Sequence, residues 1–101
     1  MANTIKTEGV FTELSAMDSD YDLGATVGIH SIKFYPGASD DEIKVFAGSA
    51  SGPEACRLKS SDGEPRVEYF DGNIWRPYID FSECTLNAGH KIVIVRDRSR
   101  K

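Results

Sequence analysis

The sequence predicts an all-β fold: a single-domain antiparallel β-sandwich or small barrel of six to seven strands. Two observations support this prediction. Short apolar or alternating segments recur at intervals of roughly 8–12 residues, and clusters of Gly, Pro, Asn, Asp and Ser separate them. The chain has 101 residues, of which 40% are hydrophobic, which suffices for one compact core. Residues 1–101 are therefore expected to form one domain.

The N-terminal segment, residues 1–24, is predicted to supply a strand followed by a polar connector. Thr and β-branched residues between Thr4 and Leu14 favour a strand, while a short helical turn over Thr12–Met17 remains an alternative. At the other end of the chain, residues 98–101 are expected to form a solvated basic tail.

The polar connector Asp18–Asp22 carries carboxylates at alternate positions, which raises the question of a calcium site. A helix-loop-helix calcium loop needs Gly at its sixth position and Glu at its twelfth. Counted from the start of the connector, those positions hold Leu23 and Ile29. No metal site is therefore predicted there.

Three strands are predicted in the middle of the chain, at Ala25–Pro36, Glu42–Ala47 and Glu54–Lys59. Alternation divides the first of them into two faces, with Gly28 as a candidate bulge. One face holds His30, Ile32 and Phe34, and the other holds Ile29, Ser31, Lys33 and Tyr35. The residues expected to point inward from the next two strands are Ile43, Val45, Ala47, Cys56 and Leu58.

The aromatic-rich stretch Arg66–Phe81 is predicted to form a β-hairpin with a three-residue loop, Asp71–Asn73. This register pairs Glu68 with Arg76 as a cross-strand ion pair, and it is the one that gives an apolar face and a charged face. The predicted inner face holds Val67, Tyr69, Trp75, Pro77, Ile79 and Phe81. The predicted outer face holds Arg66, Glu68, Phe70, Ile74, Arg76, Tyr78 and Asp80.

The last predicted strand, His90–Asp97, contains the uninterrupted run Ile92–Val95. Both faces of such a strand are apolar, so it is expected either in the interior of the sheet or at a contact between copies.

No catalytic, cofactor or metal residues are predicted, and the protein is not expected to be an enzyme. His30 and His90 are the two histidines, and neither stands in a nucleophile-elbow sequence. His30 is expected to be half-buried, and His90, at the start of a strand, to be more exposed. Cys56 and Cys84 fit no metal spacing and are expected to be structural, buried thiols.

The net charge of −4 argues against nucleic acid as a partner. The N-terminal segment lacks the features of a signal peptide, and no segment has the length of apolar sequence that a membrane span needs. The expected location is therefore cytoplasmic or virion-associated, with no membrane partner.

The outer face of the predicted hairpin is the candidate interaction surface. Exposed aromatic side chains beside arginine are typical of interface centres. The patch comprises Arg66, Phe70, Ile74, Arg76 and Tyr78. Burial of the same face under a second sheet is the structural alternative. Carbohydrate binding through Trp75, Tyr78 and Phe70 is the alternative function.

The segment from Ser31 to Asp97 resembles small, mostly uncharacterised proteins encoded among the structural genes of tailed phages and prophages. The shared features are a strand followed by Pro-Gly-Ala and acidic residues (Ile32–Asp41), the motif Tyr69–Gly72, and the segment Ile79–Ser82 leading to Ala88–Lys91. The resemblance implies a virion-associated β-module that assembles with copies of itself or with a capsid or tail protein. It implies no active site.

Overall fold

The computed structural model describes residues 3–97, which form two antiparallel β-sheets packed as a sandwich. The fold class predicted from the sequence is confirmed. The strands are β1 (Thr4–Glu8), β2 (Phe11–Ser15), β3 (Tyr21–Asp22), β4 (Val27–Tyr35), β5 (Asp41–Ala47), β6 (Glu54–Ser60), β7 (Arg66–Trp75), β8 (Pro77–Ile79) and β9 (Lys91–Arg96). A single 3-10 turn, Phe81–Glu83, follows β8. No helix within residues 3–97 is long and apolar enough to cross a membrane.

One sheet has five strands in the order β1-β2-β9-β4-β7, and the other has four in the order β3-β8-β5-β6. Residues 3–97 form nine strands where the sequence predicted six to seven, because the segment from Thr4 to Asp22 contributes three short strands instead of one. The predicted basic tail, 98–101, lies outside the described residues. As predicted, the last strand lies in the interior of its sheet, between β2 and β4.

The N-terminal segment folds as a hairpin because Gly9 supplies the positive φ (58°) that a two-residue turn needs at its first position. The pairs run from Thr4 opposite Ser15 to Glu8 opposite Phe11. The alternative of a helical turn after Thr12 is wrong, since those residues continue as β2.

The core lies between the sheets and consists of aliphatic side chains with one phenylalanine. Each fully buried aliphatic side chain stabilises the fold by roughly 1.5–3 kcal/mol relative to exposure. The fully buried hydrophobic residues are Leu14, Ile29, Ile32, Phe34, Ile43, Val45, Ile79, Ile92 and Ile94. The inward positions predicted for β5 and β6 are confirmed for Ile43, Val45, Cys56 and Leu58, while Ala47 is half-buried.

The predicted hairpin at residues 66–81 is wrong. β7 is a continuous strand that pairs with β4, and its register jumps from Asn73 opposite Ile29 to Tyr69 opposite Ser31. The intervening residues bulge out, with positive φ at Asp71 (53°) and Gly72 (81°). Residues that tolerate positive φ serve a bulge as well as a turn, and the sequence alone does not separate the two.

The bulge changes which side chains of this segment face the core. Phe70, predicted to point outward, packs partly buried against the core, whereas Val67 and Tyr69, predicted to point inward, are exposed. The predicted ion pair between Glu68 and Arg76 does not form. On β8 the inward prediction is confirmed, since Pro77 and Ile79 are buried.

The predicted exposure of the two histidines is reversed in the structure. The register of β4 shifts between Ile29 and Ser31, so Ile29 joins the core while His30 is exposed. His90 is buried, and its Nε2 accepts a hydrogen bond from the backbone N–H of Met17 at 3.0 Å. Its Nδ1 lies 2.8 Å from the carbonyl oxygen of Asn87, so the proton of the neutral ring is on Nδ1.

The loop before β9 is attached to β5 of the four-stranded sheet through Asn87. The buried carboxylate of Asp41, on β5, accepts hydrogen bonds from the backbone N–H and the side-chain amide of Asn87. It also accepts from the backbone N–H of Gly37 at 2.9 Å and of Ala38 at 3.3 Å. A side chain on Gly37 would meet the backbone of this loop, so only glycine fits there. The carboxylate thus holds two loops together at one end of the sandwich.

Candidate functional site

The solvent-facing surface of the five-stranded sheet, called here the outer face, is built from the residues that alternate with the core. The strand registers place these side chains in two rows across the sheet. The first row runs Phe11, Val95, Ser31 and Tyr69, and the second runs Glu13, Val93, Lys33 and Val67.

The outer face carries most of the exposed large hydrophobic side chains of the described chain. Ile74 belongs to it as well, because its neighbour Trp75 packs against the core. The exposed fractions are 50% for Phe11, 38% for Tyr35, 40% for Val67, 59% for Tyr69 and 49% for Ile74. The sixth such residue, Ile5 at 48%, lies on the other side of β1.

Val93 and Val95 connect these exposed side chains, because both are half-buried in the middle of the outer face. The edge of the His30 ring meets Tyr69 at a centroid distance of 5.8 Å. β-Branched and aromatic residues are preferred on sheet surfaces, but charged residues would ordinarily alternate with the core on a solvated face. The outer face therefore has the composition of a contact surface.

Charged groups border the apolar side chains of the outer face: Glu8 stands beside Phe11 at the end of the first row, and the others lie in or beyond the second row. Lys91 Nζ is 3.6 Å from Glu13 Oε1, and these two side chains, with Tyr35 and Val93, line a shallow depression. Lys33, next to Val93 in the register, is half-buried.

The four-stranded sheet presents a charged outer surface instead. Its strands β5 and β6 carry ion pairs: Lys44 Nζ lies 3.1 Å from Glu83 Oε1, and Arg57 Nε lies 3.5 Å from Glu42 Oε2. Arg57 also contacts Glu54, with 3.3 Å between Nη2 and Oε1.

The acidic connector closes the other end of this surface. Asp22 binds Arg76 through two guanidinium nitrogens, and that hydrogen bonding, with the N–H of Gly24, lowers the pKa of the Asp22 carboxyl. Asp20 accepts from the Tyr78 hydroxyl at 2.7 Å, which raises the pKa of Tyr78. These carboxylates therefore attach the connector to β8.

The residues of the predicted interaction patch are divided between the two sheets. Arg66, at the start of β7, contacts Asp62 at 2.9 Å, and Phe70 lies against Trp75 with ring centroids 5.0 Å apart. Arg76 and Tyr78 belong to the acidic contacts of the four-stranded sheet. Ile74 is the one predicted patch residue that the structure places, exposed, on the outer face.

The nucleophilic and basic side chains are dispersed. His30 Nδ1 lies 3.1 Å from Ser31 Oγ, and Ser31 is fully buried. Cys56 and Cys84 are free thiols, as predicted, the first buried and the second half-buried. Burial raises the pKa of Cys56 to about 12 and that of Cys84 to about 11, so both are protonated near neutral pH.

Sequence reasoning missed Phe11, Tyr35, Val67 and Tyr69 as surface residues. One signal pointed to this face: the run Ile92–Val95, whose two apolar faces were predicted to be covered. One of those faces is the core and the other is the outer face. The neighbours across the sheet could not be identified without the strand order.

Comparison of the chain with protein-family models, with curated proteins and with solved structures finds no match.

Proposed function

We propose that this protein is a non-enzymatic interaction module that binds a protein partner through the outer face of its five-stranded sheet. One observation supports the proposal most directly. The exposed large hydrophobic side chains of residues 3–97 are all on the five-stranded sheet, and five of the six are on its outer face. Contiguous exposed apolar surface of this kind usually marks an interaction site.

The composition of the outer face favours a protein as the partner. Tyr35 and Tyr69 provide amphipathic rings, which are enriched at the centres of protein interfaces. Val67, Val93 and Val95 add a flat aliphatic surface suited to packing against another sheet or an apolar helix face. No contact of Phe70, Trp75 or Tyr78 favours carbohydrate binding.

The resemblance to tailed-phage proteins suggests the class of partner. A capsid or tail protein, or further copies of this chain, would cover the outer face in an assembled particle. The proposal therefore keeps the virion-associated role expected from the sequence.

Site-specific photocrosslinking tests the proposal. A photoreactive phenylalanine analogue would replace Tyr69 on the outer face or, as the matched control, exposed Lys59 on the four-stranded sheet. Each variant would be irradiated as purified protein and during co-expression with a capsid or tail protein. We expect a discrete protein adduct from position 69, lost when Phe11 is also changed to Ser, and none from position 59.

Equal adducts from both positions, or none from position 69 in either setting, would contradict the proposal. An adduct of twice the chain mass from purified protein would identify a second copy as the partner. An adduct found only during co-expression would identify a different protein, by mass spectrometry of the crosslinked peptide.

A further inference from the structure

The four outermost strands of the two sheets differ in how far their edges are protected. β3 has only two residues, and β7 is interrupted by its bulge. β6 approaches β7, and their proximity closes that side of the sandwich. Short, bulged and covered edges are the common defences against unwanted strand pairing. Among the described edge strands, β1 is neither very short nor bulged nor covered, and its protection is limited to the charges of Lys6 and Glu8, which would repel a mismatched strand.

β1 is a regular five-residue strand, TIKTE, in which every residue is exposed. It therefore adds nothing to the core, although it pairs with β2 along its whole length. The side chain of Asn3 holds its start in place, since Asn3 Oδ1 accepts from the N–H of Asp18 at 2.8 Å and of Ser19 at 3.1 Å. What β1 offers is an ordered row of backbone donors and acceptors.

The turn determines which backbone groups face away from the sheet. In a hairpin with a two-residue turn, the closing pair, here Glu8 and Phe11, is hydrogen-bonded across the strands. Hydrogen-bonded and non-hydrogen-bonded pairs then alternate. The N–H and C=O groups of Ile5 and Thr7 consequently point toward the free edge.

We propose that β1 pairs antiparallel with β1 of a second copy, about a two-fold axis at Thr7. In this register Lys6 of each copy stands opposite Glu8 of the other, and the two Thr7 residues face each other. Opposite charges directly across an antiparallel pair are stabilising, and like charges are destabilising. If the two-fold axis lay one residue closer to the N-terminus, Lys6 of one copy would stand opposite Lys6 of the other.

The charges of β1 are available for this contact. Neither Lys6 nor Glu8 forms an ion pair with any other described residue, and both are exposed. The pairing adds a strand to an existing edge, which is an established mode of protein recognition, and the two-fold symmetry is that of most dimers. It would join the two five-stranded sheets side by side with both outer faces on the same side.

The pairing rests on β1 alone and holds whether or not the outer face binds a partner. The test is sedimentation velocity over a concentration series, applied to the whole chain and to charge variants. We expect a monomer–dimer equilibrium for the natural sequence. Lys6→Glu and Glu8→Lys should each weaken dimerisation by roughly tenfold or more, because each puts like charges opposite at two places. Lys59→Glu makes the same charge change on the other sheet and should leave dimerisation unchanged.

Two further samples, a mixture of the two single variants and a double variant, distinguish this register from a general effect of charge on association. An equimolar mixture of Lys6→Glu and Glu8→Lys should form heterodimers, because every contact then joins opposite charges. The double variant that carries both substitutions should dimerise like the natural chain. Recovery in neither sample would overturn the register.

A backbone variant separates edge pairing from association through the outer face, on which Lys6 and Glu8 also lie. Thr7→Pro removes an N–H that points to the free edge and is not used by β2, so it should give a monomer that unfolds at nearly the natural temperature. Tyr69→Ser should leave the dimer intact. A natural chain that stays monomeric at every concentration, or a dimer lost in Tyr69→Ser but kept in Lys6→Glu, would overturn the proposal.

Discussion

In both sheets, inward core residues alternate with outward residues along the strands. The two sheets differ in the kind of side chain that occupies the outward positions. On the four-stranded sheet, most outward residues apart from the pair Phe46 and Tyr78 are charged, and they contact each other, as Arg57 does with Glu42 and Glu54. On the five-stranded sheet, Val93, Val95 and Tyr69 occupy the equivalent outward positions. One surface is complete in the monomer, and the other has apolar side chains left uncovered.

The two surfaces therefore differ in their side chains, while both sheets have antiparallel strand pairing. Ion pairs at the surface of a sheet contribute little to stability, so the charged surface is chiefly a means of remaining soluble. The exposed aromatic and aliphatic side chains of the outer face contribute little to the monomer either. Under the proposed function, they would instead stabilise a contact with a protein partner.

The largest effect is expected from the polar group that closes one end of the four-stranded sheet. Asp41→Ala leaves the backbone N–H groups of Gly37, Ala38 and Asn87 without their acceptor. These hydrogen bonds are partly buried and end on a charged acceptor, where each contributes about 1.5–3 kcal/mol, so the free energy of unfolding should fall by about 3 kcal/mol or more. Urea denaturation measures this loss.

The matched control for this prediction is Glu64→Ala, which removes an exposed carboxylate from a loop between β6 and β7. It should change the unfolding free energy by less than about 0.5 kcal/mol. Equal effects of the two substitutions would show that the Asp41 contacts do not stabilise the sandwich.

Acid should weaken the four-stranded sheet before the five-stranded one. Burial acts to raise the pKa of Asp41, but the hydrogen bonds from Asn87, Gly37 and Ala38 outweigh it and the pKa is lowered. Hydrogen bonds from Arg76 and Gly24 lower the pKa of Asp22. A lowered folded-state pKa gives stability that is present above the unfolded value, about 3.9, and lost as the pH falls through the folded value.

Hydrogen exchange measured across this acid range checks the order of opening. Amides of β3, β5 and β8 should lose protection before those of β2 and β9. In Asp22→Asn the acid dependence should be smaller, because the carboxylate whose pKa is lowered is gone. Simultaneous loss in both sheets would contradict the assignment of the acid sensitivity to the Asp41 and Asp22 contacts of the four-stranded sheet.

The buried faces of the sheets could be predicted from the sequence, because alternation alone identifies Ile43, Val45, Cys56 and Leu58 as inward. The uninterrupted run in β9 predicted a strand either in the interior of the sheet or at a contact between copies, and the structure places it in the interior. These predictions need only local periodicity, which survives any arrangement of the strands.

The outer face could not be predicted, because two bulges interrupt the alternation of inward and outward residues. The residues at the bulges do not distinguish a bulge from a regular strand or a turn. The bulge before Ser31 exposes His30, and the one at Asp71 and Gly72 converts an expected turn into a continuous strand. A bulge reverses the face of every residue beyond it. The error therefore moved Tyr69 from the surface to the predicted core.

The thiols provide a reporter for the four-stranded side of the sandwich. Burial raises the pKa of Cys56 to about 12 and of Cys84 to about 11, so the reactive thiolate is scarce in the folded protein. Iodoacetamide should modify both slowly at mildly alkaline pH, with half-buried Cys84 reacting before buried Cys56. Mass spectrometry with time gives the rates.

The same reagent in urea supplies the control for the thiol prediction. Unfolding removes the burial that raises both pKa values, so the two rates should rise and become similar. Rapid modification of Cys56 in the native protein would show that the four-stranded sheet opens readily. The ion pairs on its surface would then not keep it closed.

The smallest effect on stability, and the clearest separation of the two surfaces, is expected from a matched pair of surface substitutions. Arg57→Ser removes two exposed ion pairs, and Tyr69→Ser removes an exposed ring. Each should change the unfolding free energy by less than about 1 kcal/mol. Only Tyr69→Ser should reduce the binding of a fluorescent dye that recognises apolar surface. Equal dye binding by the two variants would show that the exposed side chains of the outer face do not act as one continuous apolar surface.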